Sequence, residues 1–84
     1  MKWELKLEKS VQKELDKIPA EYQRKISVVF SVIADDPWAG KKLEGKLRGF
    51  YSYPVWPYRV IYRIYKKVLV VVIVKIGHRQ GIYK

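Results

Sequence analysis

Trp3, Leu5 and Leu7 alternate with Lys2, Glu4, Lys6 and Glu8, a period of two that predicts a strand over residues 2–7 with one face on a core. Ser10 is placed to cap a helix. Val11, Leu15 and Ile18 then recur at i, i+4 and i+7, with Gln12, Lys13, Glu14, Asp16 and Lys17 between them, which predicts a short amphipathic helix. Pro19 stops that helix and suits the first turn of another, where Glu21 complements the positive end of the helix dipole. Tyr22, Ile26, Val29 and Ile33 give the second helix its stripe, and the two form a helical hairpin. Val28, Phe30 and Val32 widen the apolar arc, so the second helix is expected between the first helix and a sheet. Asp35-Asp36-Pro37 ends it.

Residues 37–49 mix Pro, Gly and Lys without a period and read as a basic loop of about a dozen residues, long enough to suspect a function. From Phe50 the period returns to two. Residues 50–55, 58–65 and 68–76 are rich in β-branched and aromatic side chains, and Trp56-Pro57 and Lys66-Lys67 separate them at hairpin spacing, which predicts three consecutive antiparallel strands. The last is nearly all Val and Ile, so it is expected in the middle of the sheet with both faces buried. Pro54 cannot donate to a ladder and marks an edge or a bulge. The order strand, helical hairpin, three-stranded meander is that of one α+β domain spanning residues 1–84, with the hairpin packed on one face of the sheet.

Composition narrows the function. The chain has no Cys and one His, so a disulfide framework or a thiolate zinc site is excluded, no metal or other cofactor is expected, and a reducing cytoplasm is the expected setting. Its longest apolar run, 68–74, is seven residues, against the roughly 18–20 that a membrane span needs. No signal-peptide pattern opens the sequence. The net charge is +10, and residues 1–40 hold seven Lys/Arg and seven Asp/Glu, whereas residues 41–84 hold eleven Lys/Arg and only Glu44 as an acid. The second half therefore carries the whole excess, which points to a polyanion or an acidic protein as partner.

Within that half, Lys41, Lys42, Lys46, Arg48, Arg59, Arg63, Lys75, Arg79 and Lys84 lie among Tyr51, Tyr53, Trp56, Tyr58, Tyr62, Tyr65 and Tyr83. Cations for phosphates beside rings for bases are what an RNA-binding surface uses. More than half of these rings are expected to be mainly core, since Tyr and Trp are also strand formers. Gly77-His78-Arg79, followed by Tyr83, sets an imidazole, a permanent cation and a phenol just after the expected central strand. Attack by a ribose 2′-hydroxyl on its own phosphate needs a proton acceptor, a proton donor for the leaving oxygen, and positive charge on the phosphorane. His78, Tyr83 and Arg79 suit those roles.

Leu15-Asp16-Lys17-Ile18-Pro19, Asp36-Pro37, Lys42-Leu43-Glu44-Gly45, Tyr58-Arg59-Val60-Ile61-Tyr62, Ile76-Gly77-His78-Arg79 and Tyr83-Lys84 together resemble the RelE/ParE superfamily of toxins from toxin–antitoxin systems, over nearly the whole chain. The resemblance implies a RelE-like fold and an acidic cognate antitoxin. Its RelE branch cleaves messenger RNA in the ribosomal A site, which implies ribosome and mRNA as partners, whereas its ParE branch inhibits DNA gyrase; an inactive RNA- or ribosome-binding member is a third possibility. Carried over by position, Arg59 matches the active-site arginine of the Tyr-Arg motif, Arg79 the arginine after the Gly-His turn, Tyr83 the C-terminal tyrosine, and His78 a variable basic position. Many ribonuclease members have basic residues in the strand before the Tyr-Arg motif, where this chain has Ser52 and Pro54. Lys41, Lys42, Lys46 and Arg48 are then the residues expected to hold RNA from the loop.

Overall fold

In the computed structural model, which describes residues 3–78, the N-terminal alternation is strand β1 (Glu4–Leu7). Helix α1 (Lys9–Asp16) follows at once and starts earlier than a Ser10 cap predicts. Glu8 holds the cap position, with no side-chain capping bond. The reason is tertiary: the Glu8 N–H donates to the Ile73 carbonyl at 3.2 Å, so the β1 ladder fixes where the helix departs, and a local cap is not needed.

Helix α2 (Ala20–Asp35) begins behind Pro19, whose carbonyl accepts from the N–H groups of Tyr22 and Gln23. The Gln23 side chain donates from Nε2 to the Leu15 carbonyl at 2.8 Å, joining the Ile18 N–H, which donates to the same oxygen at 3.1 Å. The Gln23 bond closes the helical hairpin. The helix is not sandwiched: Val28 is 65% exposed and Val32 36%, because α1 and α2 lie side by side on the sheet and nothing among the described residues covers the outer face of α2.

Five strands form one sheet in the order β1-β5-β4-β3-β2. Besides β1 they are β2 (Lys41–Lys42), β3 (Tyr51–Val55), β4 (Tyr58–Tyr65) and β5 (Val70–His78). β1 runs parallel to β5 and the other neighbours are antiparallel. The expected meander is therefore present, and β2 adds an edge strand inside the segment whose lack of period predicts a loop. β5 starts at Val70 rather than at Val68, since Lys66–Val68 form a 3₁₀ turn and Leu69 takes a left-handed φ of 55°. Pro54 lies past the end of β2, which reaches only Ser52, so its missing donor falls where β3 has no outer strand neighbour.

The main core lies between the sheet and the helices. Ile26, Ile33, Val60, Tyr62, Val71 and Ile73 are completely buried there, each aliphatic side chain contributing about 1.5–3 kcal/mol by leaving water. The Tyr62 hydroxyl donates to the Pro37 carbonyl at 2.7 Å and accepts from the Gly40 N–H at 3.1 Å, anchoring the chain leaving α2 to the middle of the sheet. A Cβ on Gly40 would collide with that hydroxyl and with the Ser52 carbonyl. On the other face Leu43 and Ile61 are buried, with Leu47, Phe50 and Val74 around them. The segment expected as an aperiodic loop thus presses a small second core onto the sheet. β5 is an inner strand, next to the β1 edge, and the middle of the sheet is β4 instead; Val70, Val72 and Val74 on the second face of β5 are only half-buried, since that small cluster is the sole cover there among the described residues.

Candidate nucleic-acid interface

Directly opposed residues in a ladder share a face of the sheet. Val60 pairs with Tyr53 and Ile76, and Tyr62 with Tyr51 and Ile73, and these point at the helices. Arg59, Ile61, Arg63 and Tyr65 alternate with them along β4 and point the other way. Opposite Arg59 are Pro54 and Gly77, opposite Ile61 are Ser52 and Lys75, opposite Arg63 is Val72, and opposite Tyr65 is Val70. Lys41 pairs with Ser52, Lys6 with Val72 and Glu4 with Val70. Lys6, Lys41, Arg59, Arg63 and Lys75 therefore share the helix-free face, where Glu4 is the single acid that pairing places among the described residues. This face is an electrostatic platform for an anion.

Two of its arginines are held. Arg59 donates from Nη1 to the Ser52 Oγ at 3.2 Å, with Ser52 completely buried. Ser52 thus serves as an acceptor that orients a cation. Arg63 lies over two rings, its guanidinium carbon 5.5 Å from the Phe50 centroid and 5.7 Å from that of Tyr65. Each such cation–π contact is worth about 0.5–1 kcal/mol at an exposed site.

The residues expected to act together are only partly brought together. Lys41 shares the face of Arg59, whereas Lys42 pairs with Tyr51 and belongs to the helix side at the sheet edge. Lys46 and Arg48 are exposed on either side of Leu47, which rests on the second core, so both stand at the rim of the helix-free face. His78 pairs with Tyr58 and is therefore on the opposite face from Arg59. Its ring meets that of Tyr58 edge-on at 6.0 Å, and Tyr58 meets Tyr22 of α2 at 5.6 Å, so an aromatic row holds the imidazole on the helix side. The expectations for Arg79 and Tyr83 lie outside the described residues. Of the rings, Tyr62 is buried, Tyr51, Tyr53 and Tyr58 are packed against the main core, and Trp56 and Tyr65 are exposed; the expectation that most are core holds among the described residues.

A cleft of about 520 Å³ runs between α1 and the part of β5 that extends past β1, lined by Ser10, Val11, Glu14, Lys75 and His78 among others. Among the described residues no three His, Cys, Asp or Glu side chains converge as metal ligands do, and no helix is long and apolar enough to cross a membrane.

The family described as the ParE toxin of type II toxin–antitoxin systems, parDE, matches residues 5–83. The chain belongs to the ParE toxin family. Its fold is also that of RelE toxins. A solved archaeal RelE–RelB complex from Pyrococcus horikoshii OT3 contains a chain 28% identical to it, with a TM-score of 0.83 over 96% of this chain and 99% of that one. The toxin–antitoxin complex RelBE2 from Mycobacterium tuberculosis gives 26% identity and a TM-score of 0.85 over 94% and 100%. In the intact E. coli RelBE complex the likeness, 15% identity with a TM-score of 0.79 over 90% and 95%, is one of fold. No curated protein sequence matches the chain. The chain is thus a toxin of a type II toxin–antitoxin system within the RelE/ParE superfamily.

Proposed function

We propose that this toxin is an endoribonuclease that cleaves messenger RNA on the ribosome, with the RNA laid on the helix-free face of the sheet. The observation that carries the reading is Arg59, oriented by a buried serine hydroxyl on a face where strand pairing places Lys6, Lys41, Arg63 and Lys75 beside it and, among the described residues, Glu4 as the single acid. Cleavage by the adjacent 2′-hydroxyl gathers negative charge on the phosphorane, and a cation fixed beforehand stabilises that charge without reorganising. Arg59 fills this role, and Arg79 shares it by the resemblance. Tyr83, also by resemblance, accepts the 2′-hydroxyl proton as the O2′–P bond forms and gives its own phenolic proton to the 5′-oxygen as the P–O5′ bond breaks, so that no net proton is lost. His78 is left out of the machinery, because its ring is on the other face. Lys41, Lys46 and Arg48 hold flanking RNA. No metal or cofactor takes part in this scheme.

The partner that silences the toxin is a cognate acidic antitoxin, in keeping with the RelB-containing complexes of the Pyrococcus and Mycobacterium relatives and with the +10 charge. The working place is the cytoplasm, where ribosomes are. A second reading, inhibition of DNA gyrase, is favoured by Ser52 and Pro54, which remove two cations that ribonuclease members often have, and needs no proton-transfer pair. Primer extension on messenger bound to translating ribosomes separates the two. New 5′ ends within the A-site codon are expected, and their absence together with loss of gyrase supercoiling would establish the second reading.

A further inference from the structure

Four residues beyond Arg59 on the same strand and the same face, Arg63 lies over the rings of Phe50 and Tyr65. No step of the proposed cleavage uses it. Phe50 is half-buried in the second core, which fixes its ring. Tyr65 is 44% exposed, so part of its ring is open to a ligand. A guanidinium held by two rings has already lost part of the rotamer freedom that binding a phosphate would otherwise cost. An exposed tyrosine ring at its side is a surface on which any base can stack. Lys6, opposite Val72 in the next strand but one, extends the same row with a second cation.

The distance along β4 from Arg59 to Arg63 is four residues, about 13 Å at strand rise. That is the length of about four nucleotides in a stacked strand, and fewer in an extended one. A strand of RNA with one phosphate at Arg59 therefore reaches Arg63 within a few nucleotides.

Building on the ribonuclease reading, we propose that Arg63, Phe50 and Tyr65 form a second RNA subsite, remote from the scissile phosphate, in which Arg63 binds a backbone phosphate and Tyr65 stacks one base. The subsite makes longer single strands bind more tightly and leaves the chemical step alone. It is indifferent to base identity, because every base offers a π-face.

The test is direct binding of fluorescently labelled, non-cleavable 2′-deoxy-2′-fluoro RNA by the full-length toxin, using a dodecamer and a trinucleotide. Arg63→Ala is expected to weaken dodecamer affinity about tenfold, with a salt slope smaller by about 0.7, and to leave trinucleotide affinity within a factor of two. Tyr65→Leu, which keeps an apolar side chain without the ring, weakens the dodecamer about fivefold or more, as expected for loss of one stacked base. Arg63→Lys keeps the charge and restores only part of the affinity. Thermal melting is expected to change little for all three. Dodecamer binding by Arg63→Ala within twofold of wild type overturns the proposal, as does an equal loss on both lengths. Unchanged RNA affinity with weakened binding of an acidic antitoxin peptide also overturns it and makes the cluster a protein contact. The outcome is separable from the cleavage assay: absent cleavage with Arg63-dependent, length-dependent binding removes the nuclease reading alone, and normal cleavage with unaltered Arg63→Ala binding removes the subsite alone.

Discussion

Arg59 and Ser52 meet diagonally across the β3–β4 ladder, Ser52 standing two residues from Pro54, the direct partner of Arg59, with the guanidinium Nη1 donating to the buried serine Oγ at 3.2 Å. A charge-assisted hydrogen bond contributes about 1.5–3 kcal/mol when fully buried, and a half-exposed arginine brings this towards about 1 kcal/mol. Ser52→Ala should therefore slow cleavage roughly fivefold through kcat, with KM little changed, because Arg59 keeps its charge and loses only its aim. Single-turnover cleavage with melting curves checks this. A wild-type rate in Ser52→Ala would mean that the serine only fills space.

The arginines themselves should matter more. Removing one preorganised donor from a transition state costs about 2.7–4 kcal/mol, or 10²–10³-fold in rate. Arg79→Ala and Arg59→Ala are each expected to lose cleavage by that amount on translating ribosomes, with ribosome binding nearly intact, and Tyr83→Phe tests proton transfer separately. His78→Ala should cost less than either arginine change, since its ring lies on the other face from Arg59. Wild-type cleavage by Arg79→Ala would return the tail to ordinary surface charge.

Much of this is legible in the sequence alone. The alternation at 58–65 fixed β4, and the spacings of Val11, Leu15 and Ile18 and of Tyr22, Ile26, Val29 and Ile33 fixed which helical faces are buried, because period is a local property. What failed was not local. β2 is two lysines, too short for any pattern, and exists because Leu43 and Phe50 dock on the sheet on either side of a turn. Val28 and Val32 look like core by hydropathy, yet no element among the described residues covers them. That Gly77 rather than His78 shares the face of Arg59 depends on register, which shifts at a bulge between Ile61 and Tyr62 and cannot be counted from the sequence. Ser52 read as a missing cation, because its role as acceptor requires a diagonal neighbour in another strand.

The basic face should give its ligand a steep salt dependence. Each phosphate neutralised on a single strand contributes about −0.7 to the slope of log K against log salt. With about four to six contacts, the slope for RNA or ribosome binding is expected at roughly −3 to −4. Fluorescence titrations from low to physiological salt measure it. Affinity that does not change over that range would mean that the lysines and arginines of residues 41–84 take no part in binding.

Tyr62 offers a test of the fold that is independent of function. Burial pushes its phenol from the ordinary 10 up to about 12, against the opposing pull of the Gly40 N–H. The folded state thus favours the neutral phenol more than the unfolded state does. The stability this provides is complete below about pH 10 and is lost as pH rises through about 12. Tyr62→Phe leaves the Pro37 carbonyl and the Gly40 N–H without their partner, at a cost of about 1–3 kcal/mol at neutral pH. The variant has no phenol to ionise at that position, and the remaining tyrosines titrate equally in both proteins. Urea unfolding should therefore show the wild type ahead at neutral pH and the gap narrowing above pH 10. Parallel stability curves up to pH 12 would mean that the Tyr62 hydroxyl is hydrated in the folded protein and does not hold the chain leaving α2 to the sheet.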